Sequence, residues 1–344
     1  MTKKEVVPFR FSDKEVQCLF GVTFDEIREK LSDKRVVWIT DEHFYTKYPQ
    51  DFPAGQCIIL PAGEAHKTQE TVGRAIDELL NMEADREVFL VGVGGGVVTD
   101  TVGYIASIYL RGVKFAFAPS SVLAMVDAAV GGKNGVNVGL FKNQVGVIRQ
   151  PEYLFYNFSF LHTLPELEWI SGFAEIIKHA CIRDAEMFRF LWNNSLEDFR
   201  KDLSVTGELI RKNAELKFSV ASGDERESGQ RRLLNFGHTL GHAIENKTTM
   251  PHGFAISIGM VFACRLSEKL EGFDPEKTEW IIQLLKKYHL PVEADYSREK
   301  AWDILVHDKK KSGDSIHFIL LKDIGEGVVH SLSLSELKKL FFEM

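Results

Sequence analysis

VFLVGVGGGVVTD, residues 88–100, is a short apolar run that flows into Gly92, Gly94, Gly95 and Gly96 and then into hydroxyl and carboxylate side chains. An apolar run of this length bounded by glycine reads as a strand buried on both faces, here entering a helix. Glycines at that junction let backbone approach a phosphate, and a helix N-terminus supplies unpaired N–H donors and the positive end of a dipole. The ordinary dinucleotide fingerprint asks for a third glycine at position 97, where Val97 stands. A tight strand–helix turn is the plainer explanation, but turning alone accounts poorly for four glycines among residues 92–96.

Outward from this junction the same alternation recurs. RVVWIT at 35–40, ending at Asp41, and CIIL at 57–60 read as buried strands. Val72, Ile76, Leu79 and Leu80 give helical spacing over 67–82. Residues 97–108 continue as a helix, and VKFAFA at 113–118 as a strand. Strands alternating with helices imply a parallel sheet covered on both faces.

After about Pro151 the pattern becomes mostly helical. TLPE at 163–166 reads as a capping box with proline in the first turn. Helices are expected over 164–183, 232–246, 253–270, 275–288 and 298–306, with Asp274 and Ser297 as caps. HFILL at 317–321 reads as a strand, Asp323–Gly327 as a turn, and a final helix follows, capped by Ser333 and Glu336. The expected architecture is an N-terminal Rossmann-like α/β domain with a parallel sheet, residues 1–160, followed by a mainly α-helical C-terminal domain, residues 161–344.

Composition narrows the class. Hydrophobic residues make up 44% and charged residues 26%, ordinary for a globular chain. The net charge of −7 argues against bulk binding to nucleic acid or an anionic membrane, though not against a local basic pocket. Cys18, Cys57, Cys181 and Cys264 form no CxxC pair, so neither a zinc ribbon nor a disulfide framework is expected. MTKKEVVPFRF lacks the apolar run of a signal peptide, and no stretch approaches the ~18 apolar residues of a membrane helix. A cytoplasmic location is expected.

Several motifs bear on chemistry. Gly131-Gly132-Lys133 resembles a nucleotide-phosphate loop, but Asp127 replaces its first glycine and Asn134 its Ser or Thr, so GTPase or ATPase activity is unsupported. His238 and His242 lie four apart in NFGHTLGHAIE and share a helix face, and His252 follows ten residues later. Each histidine alone reads as a hydrogen-bonded core residue; three within fifteen residues read as a metal site. Thr239 replaces the glutamate of HExxH, which argues against a zinc protease. A catalytic divalent metal with histidine ligands usually takes a carboxylate too, leaving a position open. Glu175, on the apolar helix GFAEIIKHA, is a candidate; it could equally be a surface carboxylate paired with Lys178.

These segments together resemble a known family. GGGVVTD (94–100), AMVDAAVGGKNGVN (124–137), FKNQVG (141–146), AEIIKH (174–179), LLNFGHTLGHAIE (233–245) and HGFAISIGM (252–260) look like 3-dehydroquinate synthase, in the family's order and at similar separations, across roughly residues 35–325. Other sugar-phosphate cyclases share much of this pattern; glycerol dehydrogenases and iron-type alcohol dehydrogenases share the fold more distantly. The resemblance implies an enzyme that uses NAD and a divalent metal, Zn²⁺ or Co²⁺. It implies metal ligands at Glu175, His238 and His252, and puts His242 beside the substrate. NAD contacts are implied at Asp41, Glu64, Lys67, Gly95, Gly96, Asp100, Ser120, Ser121, Asp127, Lys142, Thr163 and Leu164. Substrate contacts are implied at Asp127, Lys133, Lys142, Asn143, Lys178, Lys217, Arg231, Asn235, His242 and Lys309, all but Asp127 and Lys142 also catalytic. A homodimer is implied as well.

Two positions depart from the family's usual residues: Ser120 and Ser121 replace threonines, keeping a hydroxyl, and Phe254 replaces a glutamate. The implied substrate, 3-deoxy-D-arabino-heptulosonate 7-phosphate, carries a carboxylate and a phosphate, which the lysines and Arg231 could neutralise. The implied course is transient oxidation by NAD, phosphate elimination, re-reduction, ring opening and intramolecular aldol closure to 3-dehydroquinate. The rivals are a metal-dependent polyol dehydrogenase, a sibling cyclase acting on a sugar phosphate without a carboxylate, and a non-catalytic dinucleotide-binding protein. Arg231, Asn235, His242 and Lys309 favour the acid substrate.

Overall fold

The computed structural model describes residues 4–139, 141–227, 229–245, 250–309 and 315–343. The chain forms two compact units that are not contiguous in sequence: residues 1–168 with 200–226, and residues 169–199 with 227–344. The sequence reading put one change of character near residue 160, whereas the helix Leu203–Gly223 groups with the sheet-bearing first unit. Phe218 of that helix stacks on Phe9, with ring centroids 4.0 Å apart.

The first unit is built on a seven-stranded sheet. In chain order its strands are β1 (Glu5–Arg10), β2 (Glu15–Phe20), β3 (Arg35–Asp41), β4 (Cys57–Leu60), β5 (Val88–Gly94) and β6 (Lys114–Pro119). The strands β7 (Lys133–Val138) and β8 (Phe141–Ile148) form a separate hairpin, and β9 (Tyr153–Tyr156) returns to the sheet. The spatial order is β1-β2-β9-β6-β5-β3-β4, parallel throughout except for the antiparallel pair β1–β2. Every residue of β5 is buried, as its unbroken apolar run required.

Gly92 and Gly94 have packing reasons of their own. A Cβ at Gly94 would lie 2.5 Å from Val98 Cγ2, and one at Gly92 would lie 3.1 Å from Val102 Cβ, both on the following helix Gly96–Ile108. Asn134 is buried and donates to the carbonyls of Gly132 (2.8 Å) and Arg149 (2.9 Å). It therefore pins the β7–β8 hairpin, which explains an asparagine where a phosphate loop would have Ser or Thr. An aromatic core that includes Phe24, Trp38, Phe44, Phe52, Phe89 and Phe160 fills this unit.

The expected strands and helices of the second half appear with two corrections. The helix expected from 164 begins at Glu166. Thr163 does not cap it: its hydroxyl bonds Tyr48 Oη at 3.0 Å and Phe160 O at 3.4 Å, within a preceding 3₁₀ turn. The single helix expected over 232–246 is a 3₁₀ segment, Gln230–Asn235, followed by an α-helix, His238–Glu245. Gly237 breaks it, at φ +77°, a left-handed conformation that glycine adopts without steric cost. The helices His252–Leu270, Pro275–Lys287 and Arg298–Lys309 follow, the second capped by Asp274 and the third by Ser297. The expected terminal strand is one arm of a hairpin, β10 (Ser315–Asp323) with β11 (Glu326–Ser333), ahead of the helix Leu334–Glu343. Phe318, Leu320, Leu332 and Phe341 of these elements share a core with Leu240, Ile244 and Ile258. Among the described residues no helix is long and apolar enough to cross a membrane.

Glycine contacts fix the spacing of three helices in this unit. A Cβ at Gly259 would lie 1.9 Å from Gly237 O, one at Gly241 2.8 Å from Ile256 Cδ1, and one at Gly253 2.2 Å from Ser171 O. The helices that begin at His238 and His252 thus meet backbone to backbone, and the second also touches the helix Glu166–Arg183. The Gly259→Ala variant should lose about 1–3 kcal/mol of stability to overpacking. A lower urea midpoint by far-UV circular dichroism is the expected reading; an unchanged midpoint would show that the helices have room to part.

Candidate active site

In the second unit one lysine and two histidines surround Glu175. This residue lies mid-way along the helix Glu166–Arg183 and is fully buried, which corrects the surface-carboxylate alternative. Lys178, one turn on and equally buried, forms an ion pair with Oε2. His238 Nε2 stands 3.7 Å and His252 Nε2 3.4 Å from Oε1. Each imidazole turns its other nitrogen to an acceptor: His238 Nδ1 meets Phe236 O at 3.1 Å, and His252 Nδ1 meets Glu245 Oε2 at 3.3 Å.

His242 shares the helix with His238, as the spacing required, and their ring centroids are 5.1 Å apart. Yet it is His252, from another helix, that joins His238 at Glu175. One ligand atom from each of Glu175, His238 and His252 lies within 4.8 Å of the others. Ligands held at about 2.0–2.1 Å around a tetrahedral ion stand roughly 3.4 Å apart, which the two Glu175–imidazole separations match. Both Glu175 oxygens are buried and lack a hydrogen bond of ordinary geometry among the described residues. A buried carboxylate with two imidazoles aimed at one of its oxygens fits a divalent cation. Three such ligands would leave a coordination position open, as in catalytic sites and unlike closed structural ones.

In the same unit Arg231 is buried within the 3₁₀ segment, and Asn235 donates its side-chain amide to Glu227. Sequence reasoning missed Glu227 and Glu245. Glu245 was visible in HAIE, seven residues after His238 and therefore on its helix face. Lys309 ends the helix Arg298–Lys309, and its side chain lies outside the described residues.

In the first unit the expected nucleotide contacts collect at the C-terminal ends of neighbouring parallel strands. Asp41 ends β3, Gly94 ends β5, Ser120 and Ser121 follow β6, and Glu64 lies a few residues beyond β4. Open α/β sheets bind ligands along this edge. Gly95 N-caps the helix Gly96–Ile108 without a side-chain bond, and a Cβ there would meet only Ser121 Oγ at 3.7 Å. Asp41 accepts from Phe44 N at 2.8 Å, and Ser121 Oγ accepts from Ala124 N at 3.2 Å.

A hydrogen-bonded chain joins several of the other residues. Buried Lys67 donates to Asp100 and to Asn143 Oδ1 (2.6 Å); Asn143 N donates to Asn137 Oδ1 (3.0 Å); and Asn137 Nδ2 donates to Glu64 Oε1 (2.8 Å). Burial pushes the Asp100 carboxyl up, and Lys67 opposes that rise. Asn137, within the quoted VGGKNGVN segment, was not singled out from sequence. Lys217 donates to Asp127 O at 2.6 Å and pairs with its carboxylate at 2.7 Å, on a π-helical turn. Lys133 starts β7 and Lys142 lies in β8, on the hairpin that carries Asn143. Thr163 O accepts from Lys47 Nζ, and Leu164 follows the 3₁₀ turn.

A buried carboxylate and two imidazoles that could hold a cation, in a chain that also carries a parallel sheet with a glycine-rich strand end, are the features expected of one class: nucleotide-fold enzymes that work with a divalent metal. Comparison with known proteins narrows it. Residues 57–171 match the family model for the 3-dehydroquinate synthase N-terminal region, and residues 172–311 match its C-terminal counterpart. A 3-dehydroquinate synthase of Leptospira interrogans is 40% identical over 342 residues, covering 95% of this chain and 94% of that protein. One from Nitratiruptor sp. is 41% identical over 278 residues, covering 79% and 78%. The chain belongs to the 3-dehydroquinate synthase family.

Solved structures agree on the fold. A 2-deoxy-scyllo-inosose synthase complexed with carbaglucose-6-phosphate, NAD⁺ and Co²⁺ superposes with a TM-score of 0.84 at 24% identity, covering 98% of this chain and all of that one. A 2-epi-5-epi-valiolone synthase from Streptomyces hygroscopicus, solved with NAD⁺ and Zn²⁺, gives 0.84 at 23%, covering 98% of each chain.

Burial and neighbouring charges shift the pKa values of Glu175, His238 and His252 in the metal-free chain. Burial pushes Glu175 up, but Lys178 and the two imidazoles outweigh it and hold the carboxyl well below the usual range. Burial and Lys178 hold His238 well below an ordinary histidine. Burial also pulls His252 down, yet the carboxylates of Glu175 and Glu245, one beside each ring nitrogen, prevail and raise it to about 10. A raised histidine stabilises the fold fully below its unfolded pKa of roughly 6.5, and that contribution fades as pH climbs towards 10. A cation on His252 Nε2 must displace its proton. Uptake of Co²⁺ by the metal-free chain near pH 8 should therefore release about one proton. Calorimetry in buffers of contrasting ionisation enthalpy measures this; zero release would contradict the assigned protonation.

Proposed function

We propose that this chain converts 3-deoxy-D-arabino-heptulosonate 7-phosphate into 3-dehydroquinate and inorganic phosphate, a carbon–oxygen lyase step of the shikimate pathway towards chorismate and aromatic amino acids. The observation that carries this reading is the buried convergence of Glu175, His238 and His252 beside Lys178 in a chain of this family. The ligand set suits Zn²⁺ or Co²⁺. In this reading NAD is held mainly by the α/β part, residues 1–160, through Asp41, Glu64, Lys67, Gly95, Gly96, Asp100, Ser120, Ser121, Asp127 and Lys142, with Thr163 and Leu164 just beyond it. The metal is held by the mainly helical part, residues 161–344.

Bound NAD⁺ supplies reversible hydride removal, and the cation supplies a Lewis acid that polarises a carbon–oxygen bond. The chain's own residues bind, orient and neutralise. Buried Lys178 and Arg231 bring positive charge to the unit that carries the cation ligands, charge that an anionic substrate complements. A polyol dehydrogenase, whose substrate is neutral, has no such use for them. Asn235, held by Glu227, and His242, beside the two ligand imidazoles, orient a substrate hydroxyl. Lys133, Lys142, Asn143, Lys217 and Lys309 complete the substrate set, and Asp127 serves it through the Lys217 pair. We assign the protein to the cytoplasm and to a homodimer.

The test is phosphate release. With NAD⁺ and Co²⁺ the chain should liberate phosphate from the heptulosonate phosphate without net NADH, and a chelator should abolish turnover. Stoichiometric NADH without phosphate would point to the dehydrogenase. Turnover of glucose 6-phosphate or sedoheptulose 7-phosphate in place of the acid would point to a sibling cyclase.

A further inference from the structure

We infer that Glu245 is a positioning residue of the metal centre, setting the tautomer and orientation of His252. This inference rests on the reading of Glu175, His238 and His252 as cation ligands. Glu245 Oε2 lies 3.3 Å from His252 Nδ1, while Nε2 of the same ring faces Glu175 Oε1 at 3.4 Å. A neutral imidazole has one N–H and one lone pair. An acceptor at Nδ1 commits the N–H to that side and leaves the Nε2 lone pair for a cation.

The two ligand rings are braced differently. His238 Nδ1 faces a backbone carbonyl, Phe236 O, whereas His252 faces a carboxylate that is itself mostly buried, with 10% of its side chain exposed. Glu245 lies seven residues after His238 on the helix His238–Glu245. One helix face thus supplies one ligand and the brace for the other. Charge points the same way. A doubly charged cation beside Glu175 and Lys178 leaves two net positive charges in a buried region, and Glu245 reduces this to one. Carboxylate–histidine–metal relays raise ligand basicity in this manner.

A competing geometry exists. Single atoms of His242, Glu245 and His252 also lie within 4.8 Å of one another, so Glu245 could itself ligate a cation. With a first cation on Nε2, that would demand a doubly deprotonated His252 ring.

The experiment titrates metal-free protein with Co²⁺, following its visible absorption and competing with a chelator, on wild type, Glu245→Ala and Glu245→Gln. Far-UV circular dichroism checks each fold. One Co²⁺ per chain is expected in all three. Glu245→Ala should bind about 10–100-fold more weakly, with an altered visible band. Glu245→Gln, whose amide oxygen still accepts the Nδ1–H, should recover most of the affinity. Wild-type affinity and spectrum in both variants would overturn the inference. So would two Co²⁺ in wild type with one lost in the alanine variant, which would make Glu245 a ligand. A wild-type chain that takes up no Co²⁺ would remove the metal centre itself, and phosphate release assayed separately tells that failure from one confined to Glu245.

Discussion

The second unit depends on an ionised carboxylate that water does not reach. An isolated buried carboxylate is costly enough that it would ordinarily take up a proton. Glu175 stays charged because Lys178 and two imidazoles surround it, and their attraction grows as local polarity falls. The arrangement is poor as a pure stability device, since well-packed apolar residues would serve as well or better. Its retention makes sense as a binding site: a set of charges held in readiness for a cation and an anionic ligand.

Such a site needs its parts at fixed distances, and here backbone does that work. Gly259 against Gly237, Gly241 against Ile256 and Gly253 against Ser171 bring three helices together more closely than any side chain would allow. Long flexible side chains would otherwise have to bridge the gaps, and imidazole and carboxylate have little reach. The break at Gly237 adds a second effect. By ending the 3₁₀ segment before His238, it leaves Phe236 O turned to the Nδ1 of that histidine. A continuous helix over 232–246 would have used that carbonyl in its own ladder.

Much of this was legible in the chain. The central strand, the helix after it and the long apolar helices follow from periodicity, because burial on one or two faces writes itself into residue order. Less was legible where tertiary context decides. The helical pattern of 232–246 was real, but a glycine at positive φ overrode it. TLPE looked like a cap, but the threonine hydroxyl found Tyr48 and Phe160 instead. Spacing alone favoured His238 with His242, since neighbours on a helix are the only pairs that spacing can see. The pairing of His238 with His252 needs two helices to dock, and Glu175 needs a third. Family resemblance, not periodicity, selected that set. Glu245 and Asn137 went unseen because hydrogen-bond partners of functional groups carry no pattern of their own.

The first unit solves a related problem by different means. The protein is acidic overall, yet its expected ligands are anions, so positive charge must be concentrated and held. Lys67 is buried, and a buried ammonium is affordable only with partners that take its protons. Asp100 neutralises it and Asn143 accepts a further bond, while Asn137 ties Asn143 N to Glu64. Asn143 sits at φ +54°, a conformation that asparagine tolerates better than most residues, and its own bonds to Lys67 and Asn137 hold it there. Side chains from the β4 end, the helix Gly96–Ile108 and the β7–β8 hairpin are therefore fixed in one network before any ligand arrives. The entropy of ordering long polar side chains is then lost during folding and not during binding, which is how a preorganised site gains affinity without further contacts.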